Sequence, residues 1–261
     1  MSFLQIGQLK YYVFNSFQKL GVPHGIFTRL GGCSPEPWYS LNVATSVGDS
    51  RENVIENRSR IMAIFNKSFD SVFDAWQIHS TKVLCSERPR LINEPHKKGD
   101  AVITSNQNVS LMMVFADCVP IFLYDTKKKV IGIAHAGWQG TVTRIAREAV
   151  IAMHSNYGCL PKNILAGIGP SIGPDHYEVG INIVDEVMAA FPHMYKSIIY
   201  KQNCKFYFNL WNANKIILQE SGVKNIEISG VCTACNVKEW YSHRAENGKT
   251  GRFAAVLSLP L

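Results

Sequence analysis

No apolar run in this chain approaches the roughly 20 consecutive residues that a membrane-spanning helix requires, which excludes an integral helical membrane protein. The opening residues, "MSFLQIGQLKYYVF", lack the basic segment followed by an apolar one that marks a secretory leader, so a cytoplasmic protein is expected. There is no internal repeat, low-complexity tract or Pro/Ser-rich linker. With no boundary declared, the expectation is one domain over residues 1–261. No helix-turn-helix, RNP-type aromatic motif or basic helix accompanies the net charge of +7. The densest basic stretches, "HKKGD" at 96–100 and "TKKK" at 126–129, read as solvated turns, so neither a nucleic-acid nor a membrane-surface partner is expected. The positive balance still raises the local concentration of anions, phosphate included. Seven cysteines, an odd number scattered through a long chain, do not form the framework of a secreted disulfide scaffold.

What is present suffices for a large core, with 46% hydrophobic and 18% charged residues over 261 positions. The spacing of apolar residues predicts helices at about 50–66, 141–155, 181–191 and 209–221. Asp49 and Glu52 suggest a capping box for the first helix, and Gly222 a C-cap for the last. β-Branched and aromatic runs at "SLMMVF", "VPIFLY", "VIGIAH", "NILAGIG", "KFYF", "IEIS" and "FAAVLSL" predict strands. These do not alternate regularly with helices. The expectation is therefore an α+β fold with a mixed, largely buried sheet and flanking helices rather than a doubly wound one.

The stretch "FADCVPIFLYDTKKKVIGIAHAGWQGT", residues 115–141, reads as a hairpin with a thiol and an imidazole near its outer ends. A four-residue loop at 125–128 would pair Tyr124 with Lys129 and hence Cys118 with His135. Opposed residues share a face, with Cβ atoms about 5 Å apart, so the two side chains could share one metal ion or one proton. Core packing explains a buried Cys or His taken singly, but an opposed pair points to chemistry. The small residues of "HAGWQG" leave room beside His135, and Trp138 could wall the space. Catalytic zinc typically takes three protein ligands and keeps a position open. His79, which interrupts the hydrophobic segment "AWQIHSTKV" before a turn, is the candidate for the third, although spacing alone leaves that choice open.

Seven ordered blocks cover nearly the whole chain: "IFTRLGGCSPEPWYSLNVATSVGDSRENVIENR", "QIHS", "ADCVPIFLYD", "IAHAGWQGT", "GIGPSIGPDHYEVG", "NLWNANKIILQESGV" and "WYSHRAENGKTGRFAAVL". Together they resemble the YfiH-like family, long labelled multicopper polyphenol oxidase or laccase domain. The resemblance implies a mixed α+β fold and a catalytic zinc site of His79, Cys118 and His135. It also implies purine nucleoside phosphorolysis, on adenosine, inosine or S-methyl-5′-thioadenosine, with accompanying adenosine deamination. A homodimer is compatible with this reading and not required by it. Gln139 departs from the family's usual "HAGWRG", and a neutral amide cannot replace a guanidinium in holding phosphate.

The older oxidase label meets a compositional obstacle, since a multicopper oxidase needs many histidine ligands, usually as H-x-H pairs, and this chain has eight His and no such pair. One Cys and two His could hold a single copper, but that site alone cannot reduce dioxygen by four electrons. A zinc-deaminase signature is also incomplete, because "HYE" at 176–178 and "CTAC" at 232–235 are far apart and Val231 replaces the proline. Cys232 and Cys235 are accordingly read as core or loop residues, or as a redox pair.

Phosphorolysis needs cations for phosphate and a surface for the purine. Arg29 in "FTRLGG" and Arg244 are the first candidates for the anion, with Arg252 in a further family-like block; Arg58 is read as a structural helix residue. Tyr177 could stack on the base, and Asp117 could orient water or His135. Three function classes follow: a zinc nucleoside phosphorylase, with copper as the alternative metal; a cysteine hydrolase using a Cys118/His135 dyad; and a non-catalytic zinc-stabilised interaction module.

Overall fold

The computed structural model describes residues 2–260. Two six-stranded sheets and one three-stranded sheet form its framework. In the first, the strands run in the order Ser2–Ile6, Leu9–Val13, His24–Phe27, Phe253–Ser258, Ser110–Phe115 and Val72–Phe73. In the second, the order is Asn225–Ile228, Ile164–Ile168, Val119–Asp125, Val130–Ala136, Ala101–Thr104 and Val83–Cys85. Parallel pairs occur at the edges, where Asn225–Ile228 joins Ile164–Ile168 and Val83–Cys85 joins Ala101–Thr104, while the central pairs are antiparallel. The sheets are therefore mixed, as expected. Among the described residues no helix is long and apolar enough to cross a membrane.

Strand periodicity explains the layering. Phe122, Tyr124, Ile131 and Ile133 project from one face of the second sheet into a cluster shared with Leu111, Met113, Phe115, Phe253, Ala255 and Leu257 of the first. Their neighbours Ile121, Leu123, Ala134 and Ala136 project the other way, onto Ile145, Ala149 and Met153 of helix Ile145–Tyr157 and Ile217 of helix Leu210–Glu220. On the outer face of the first sheet, Met112, Ala254 and Val256 meet Ile61 and Met62 of helix Arg51–Ala63. The result is a four-layered helix–sheet–sheet–helix sandwich. Both central strands are apolar on both faces because both faces are covered.

Three local expectations are corrected. The hairpin pairs Asp125 with Val130 and Pro120 with His135, one residue further along each strand than the expected register. Asp125 Oδ1 accepts the amide N–H groups of Lys127 and Lys128, and Lys129 takes a left-handed φ of 56°, so the loop is 126–129 and not 125–128. Sliding both strands by one residue moves Cys118 two positions from direct opposition, which preserves the face and leaves it a diagonal neighbour of His135. Helix Arg51–Ala63 is capped by Ser50, whose hydroxyl accepts Asn53 N–H, and not by Asp49. The segment expected as one helix from about 141 is divided by Arg144 at φ 67° into Trp138–Val142 and Ile145–Tyr157.

Candidate metal centre

The pairing of Ala101 with Ala134 brings Asp100 beside His135 at the end of the adjacent strands. The Asp100 carbonyl accepts the His135 amide at 2.7 Å, and its Oδ1 accepts His135 Nδ1–H at 3.0 Å. The same carboxylate accepts the backbone N–H groups of Ile78, His79 and Ser80 and the Ser80 hydroxyl. One buried carboxylate thus fixes the ring of His135 and the turn carrying His79, whose φ is 58°. Burial pushes Asp100 up, but the bonds from His135 and Ser80 outweigh it and hold the carboxyl down at about 2. In the sequence Asp100 reads only as part of a solvated "HKKGD" turn. The signal that identifies it is its pairing position opposite His135.

With Nδ1 committed to Asp100, Nε2 is the His135 atom left for a ligand role. His79 Nε2 stands 4.0 Å from Cys118 Sγ, and one ligand atom from each of His79, Cys118 and His135 lies within 4.8 Å of the others. Gly137 keeps this space open. A Cβ there would stand 2.9 Å from Cys118 Sγ and 3.2 Å from His79 Cδ2. Burial raises the Cys118 thiol, but the positive charge and hydrogen bond of His135, with the hydrogen bond of His79, bring it well below the ordinary thiol range. Burial lowers His135, which the Cys118 charge and the Asp100 bond reverse, so that His135 is raised. Two imidazoles and a thiolate suit a borderline-soft ion such as zinc, and three ligands leave a coordination position for water or substrate.

The three side chains lie where two cavities meet. One, of about 320 Å³, is lined by His79, Cys118 and His135 together with Arg58, His96, His243 and Arg252. The other, of about 120 Å³, adds Trp138, Gln139 and Tyr177 to His79 and Cys118. Arg58 is neutralised by buried Asp74 at 2.7 Å, which Arg90 and His96 also contact. Arg252 differs. It makes no ion pair among the described residues, and its guanidinium donates through Nη1 to the carbonyls of Thr250 and Gly251.

The other sequence candidates divide. Tyr177 walls the smaller cavity and carries the Arg244 guanidinium 5.1 Å from its ring centroid; Arg244 also donates to Glu178 O and lies outside both cavity linings. Arg29 lies outside both linings as well. Its guanidinium donates to Tyr39 O, Val237 O and Glu246 and packs over the Tyr241 ring, so its contacts tie the chain at Tyr39 to the 237–246 segment. Asp117 does not reach His135. It accepts the Thr233 hydroxyl and the Arg244 amide from a left-handed φ of 77°. Of the core and loop readings, Cys232 and Cys235 take the loop one: Cys235 is exposed, Cys232 half-buried, and both stand beside His176.

The chain matches the family model for multi-copper polyphenol oxidoreductase laccase over residues 23–260. It is 37% identical over 243 residues to the Bacillus subtilis protein named purine nucleoside phosphorylase YlmD, covering 90% of this chain and 87% of that one. The crystal structure of YlmD from Geobacillus stearothermophilus superposes with a TM-score of 0.92 at 30% identity, and that of Bacillus licheniformis YfiH with 0.91 at 29%, each over 99% of both chains. By its sequence over 23–260, and by a fold it shares with YlmD and YfiH, the chain belongs to the multi-copper polyphenol oxidoreductase laccase family.

Proposed function

We propose that this protein is a zinc-dependent purine nucleoside phosphorylase in which His79, Cys118 and His135 hold the metal, with adenosine deamination as a second activity of the same centre. The observation that carries the reading is the position of an open His–Cys–His set between a cavity holding an unpaired arginine and a cavity with aromatic walls. The names of the relatives support the reaction class. The donor set fits zinc, and bound zinc would supply a Lewis acid to the substrate and lower the pKa of a bound water.

The chain's own residues account for the rest. Arg252 binds and orients phosphate in the larger cavity through the donors its backbone contacts leave free. His243 and the Asp74-paired Arg58 line the same cavity. Tyr177 and Trp138 offer aromatic faces to the purine in the smaller cavity. Phosphate and base are then held in two cavities that share His79 and Cys118, with the ribose between them at the centre. Asp100 keeps the His135 proton on Nδ1 throughout.

Arg252→Ala should raise the KM for phosphate about 10- to 100-fold, the value of a charge-assisted contact. Deamination, which uses water, should change much less. The check is ribose 1-phosphate and inosine formation from adenosine in both proteins, and equal losses in the two activities would remove phosphate from Arg252.

A second reading has its own support, since Asp100, His135 and Cys118 also form an acid–base–nucleophile series with a lowered thiol. A cysteine hydrolase of this kind would keep its activity after complete removal of metal.

A further inference from the structure

Loops 170–177 and 231–236 come together beside Asp117. Ser171 N–H donates to Val231 O, Thr233 N–H to Ser171 O, and Ile172 N–H to Asp117 O. Their meeting places four donor side chains, Asp175, His176, Cys232 and Cys235, with one ligand atom from each within 4.8 Å of the rest. His176 Nδ1 stands 3.8 Å from Cys232 Sγ, 3.6 Å from Cys235 Sγ and 3.0 Å from Asp175 Oδ2, and Cys235 Sγ stands 4.0 Å from Asp175 Oδ2. A tetrahedral zinc with Zn–N near 2.0 Å and Zn–S near 2.3 Å sets ligand atoms roughly 3.3–3.8 Å apart. Small side-chain adjustments close the difference.

Two features around the cluster favour a built site over a chance grouping. A Cβ on Gly173 would stand 2.6 Å from Asp175 Oδ1 and 3.0 Å from Cys232 Sγ, so glycine is what allows these two donors to approach. The Gly173 amide also donates to Cys232 Sγ at 3.1 Å, which fixes the position of that sulfur. Both cysteines are free thiols, and neither they nor Asp175 and His176 line the cavities of the His79–Cys118–His135 centre.

We propose that Asp175, His176, Cys232 and Cys235 form a second, structural zinc site. Binding releases the two thiol protons to solvent, while His176 ligates as the neutral imidazole through Nδ1. Four protein ligands close the coordination sphere, so this site has no position for substrate. Its role is mechanical. It clasps the loop leading into Tyr177, a wall of the smaller cavity, to the loop whose Thr233 holds Asp117, the neighbour of Cys118.

The test is metal stoichiometry on protein purified under reducing conditions, loaded with zinc and freed of excess. Wild type should retain two zinc ions per chain, and Cys235→Ser and His176→Ala one each. His79→Ala should also retain one, which separates failure of this site from failure of the other. A second measurement covers the case in which Cys235→Ser does not fold. Loaded with one equivalent of cobalt, Cys118→Ser protein should still show the near-ultraviolet thiolate-to-cobalt absorption, since its thiolates come from Cys232 and Cys235. One zinc per wild-type chain that His79→Ala loses and Cys235→Ser keeps, or no such absorption in Cys118→Ser protein, overturns the proposal. So does a Cys232–Cys235 disulfide in the reduced preparation.

Discussion

At the scale of the residue, much rests on Asp100, whose one carboxylate holds His135 by Nδ1 and His79 by its backbone. Asp100→Asn keeps the size but cannot accept from every donor now converging there. Zinc affinity should fall about 10- to 100-fold, as measured by competition with a chromophoric chelator. An unchanged affinity would show that the His79 turn and the His135 ring are held by packing alone. Gly137 supports a second prediction at this scale. Its φ of −71° is open to any residue, so only the nearness of Cys118 and His79 opposes a side chain there. Gly137→Ala should weaken zinc by roughly tenfold or more while leaving the thermal midpoint within a few degrees, since crowding of this kind costs about 1–3 kcal/mol. Equal losses of zinc and of fold would mean that Gly137 serves the backbone. Cys118 and His135 were legible in the sequence because two β-runs flank a short loop. Asp100 was not, because strand Ala101–Thr104 pairs with the hairpin from a distance in sequence that local pattern does not report.

At the scale of the element, the hairpin illustrates how turn chemistry sets register. The β-runs identified both strands, yet the Asp125 carboxylate, by capping two lysine amides, decided where the loop begins. A slip of one residue on each strand is harmless to the site because side-chain direction repeats every two residues. A slip of one strand alone would have turned Cys118 away. Strand His24–Phe27 carries a different device. His24 Nδ1–H donates to Val22 O, and its Nε2 accepts the Phe14 amide, which only a neutral ring can do. Burial lowers this imidazole to about 4, with the Val22 carbonyl and Glu227 opposing the shift. A depressed folded-state value means that the unfolded chain binds the proton first. Stability is then complete above about pH 6.5 and is lost as the pH falls towards 4, a contribution on the order of 3 kcal/mol. Urea midpoints measured across that range should fall more steeply for wild type than for His24→Gln, which retains an acceptor but does not titrate. Identical slopes would place the pH sensitivity elsewhere.

At the scale of the whole molecule, the two sheets bring together residues that no local pattern joins. His79 arrives on a turn, Cys118 at the start of one strand and His135 near the end of the next. The α+β class and most elements were readable because periodicity and β-branched runs are local properties. Which arginine faces the cavity was not readable. Arg29 lies beside Glu246, 217 residues away, and Arg252 does not share such a partner among the described residues, so the choice depends on tertiary ion pairing. The same holds for His176 and the Cys232/Cys235 pair, whose separation in sequence hid their meeting in space. The net charge of +7 was informative only in sign. In the proposed function a metal held by His79, Cys118 and His135 drives phosphorolysis of purine nucleosides. This role is tested most directly by following ribose 1-phosphate formation from adenosine and inosine with phosphate, before chelation, after verified removal of metal, and after zinc is restored. Native protein should form the product, metal-free protein at least about 100-fold less, and zinc should restore it. Undiminished turnover by metal-free protein, or no ribose 1-phosphate from zinc-loaded protein with either nucleoside, would contradict that role.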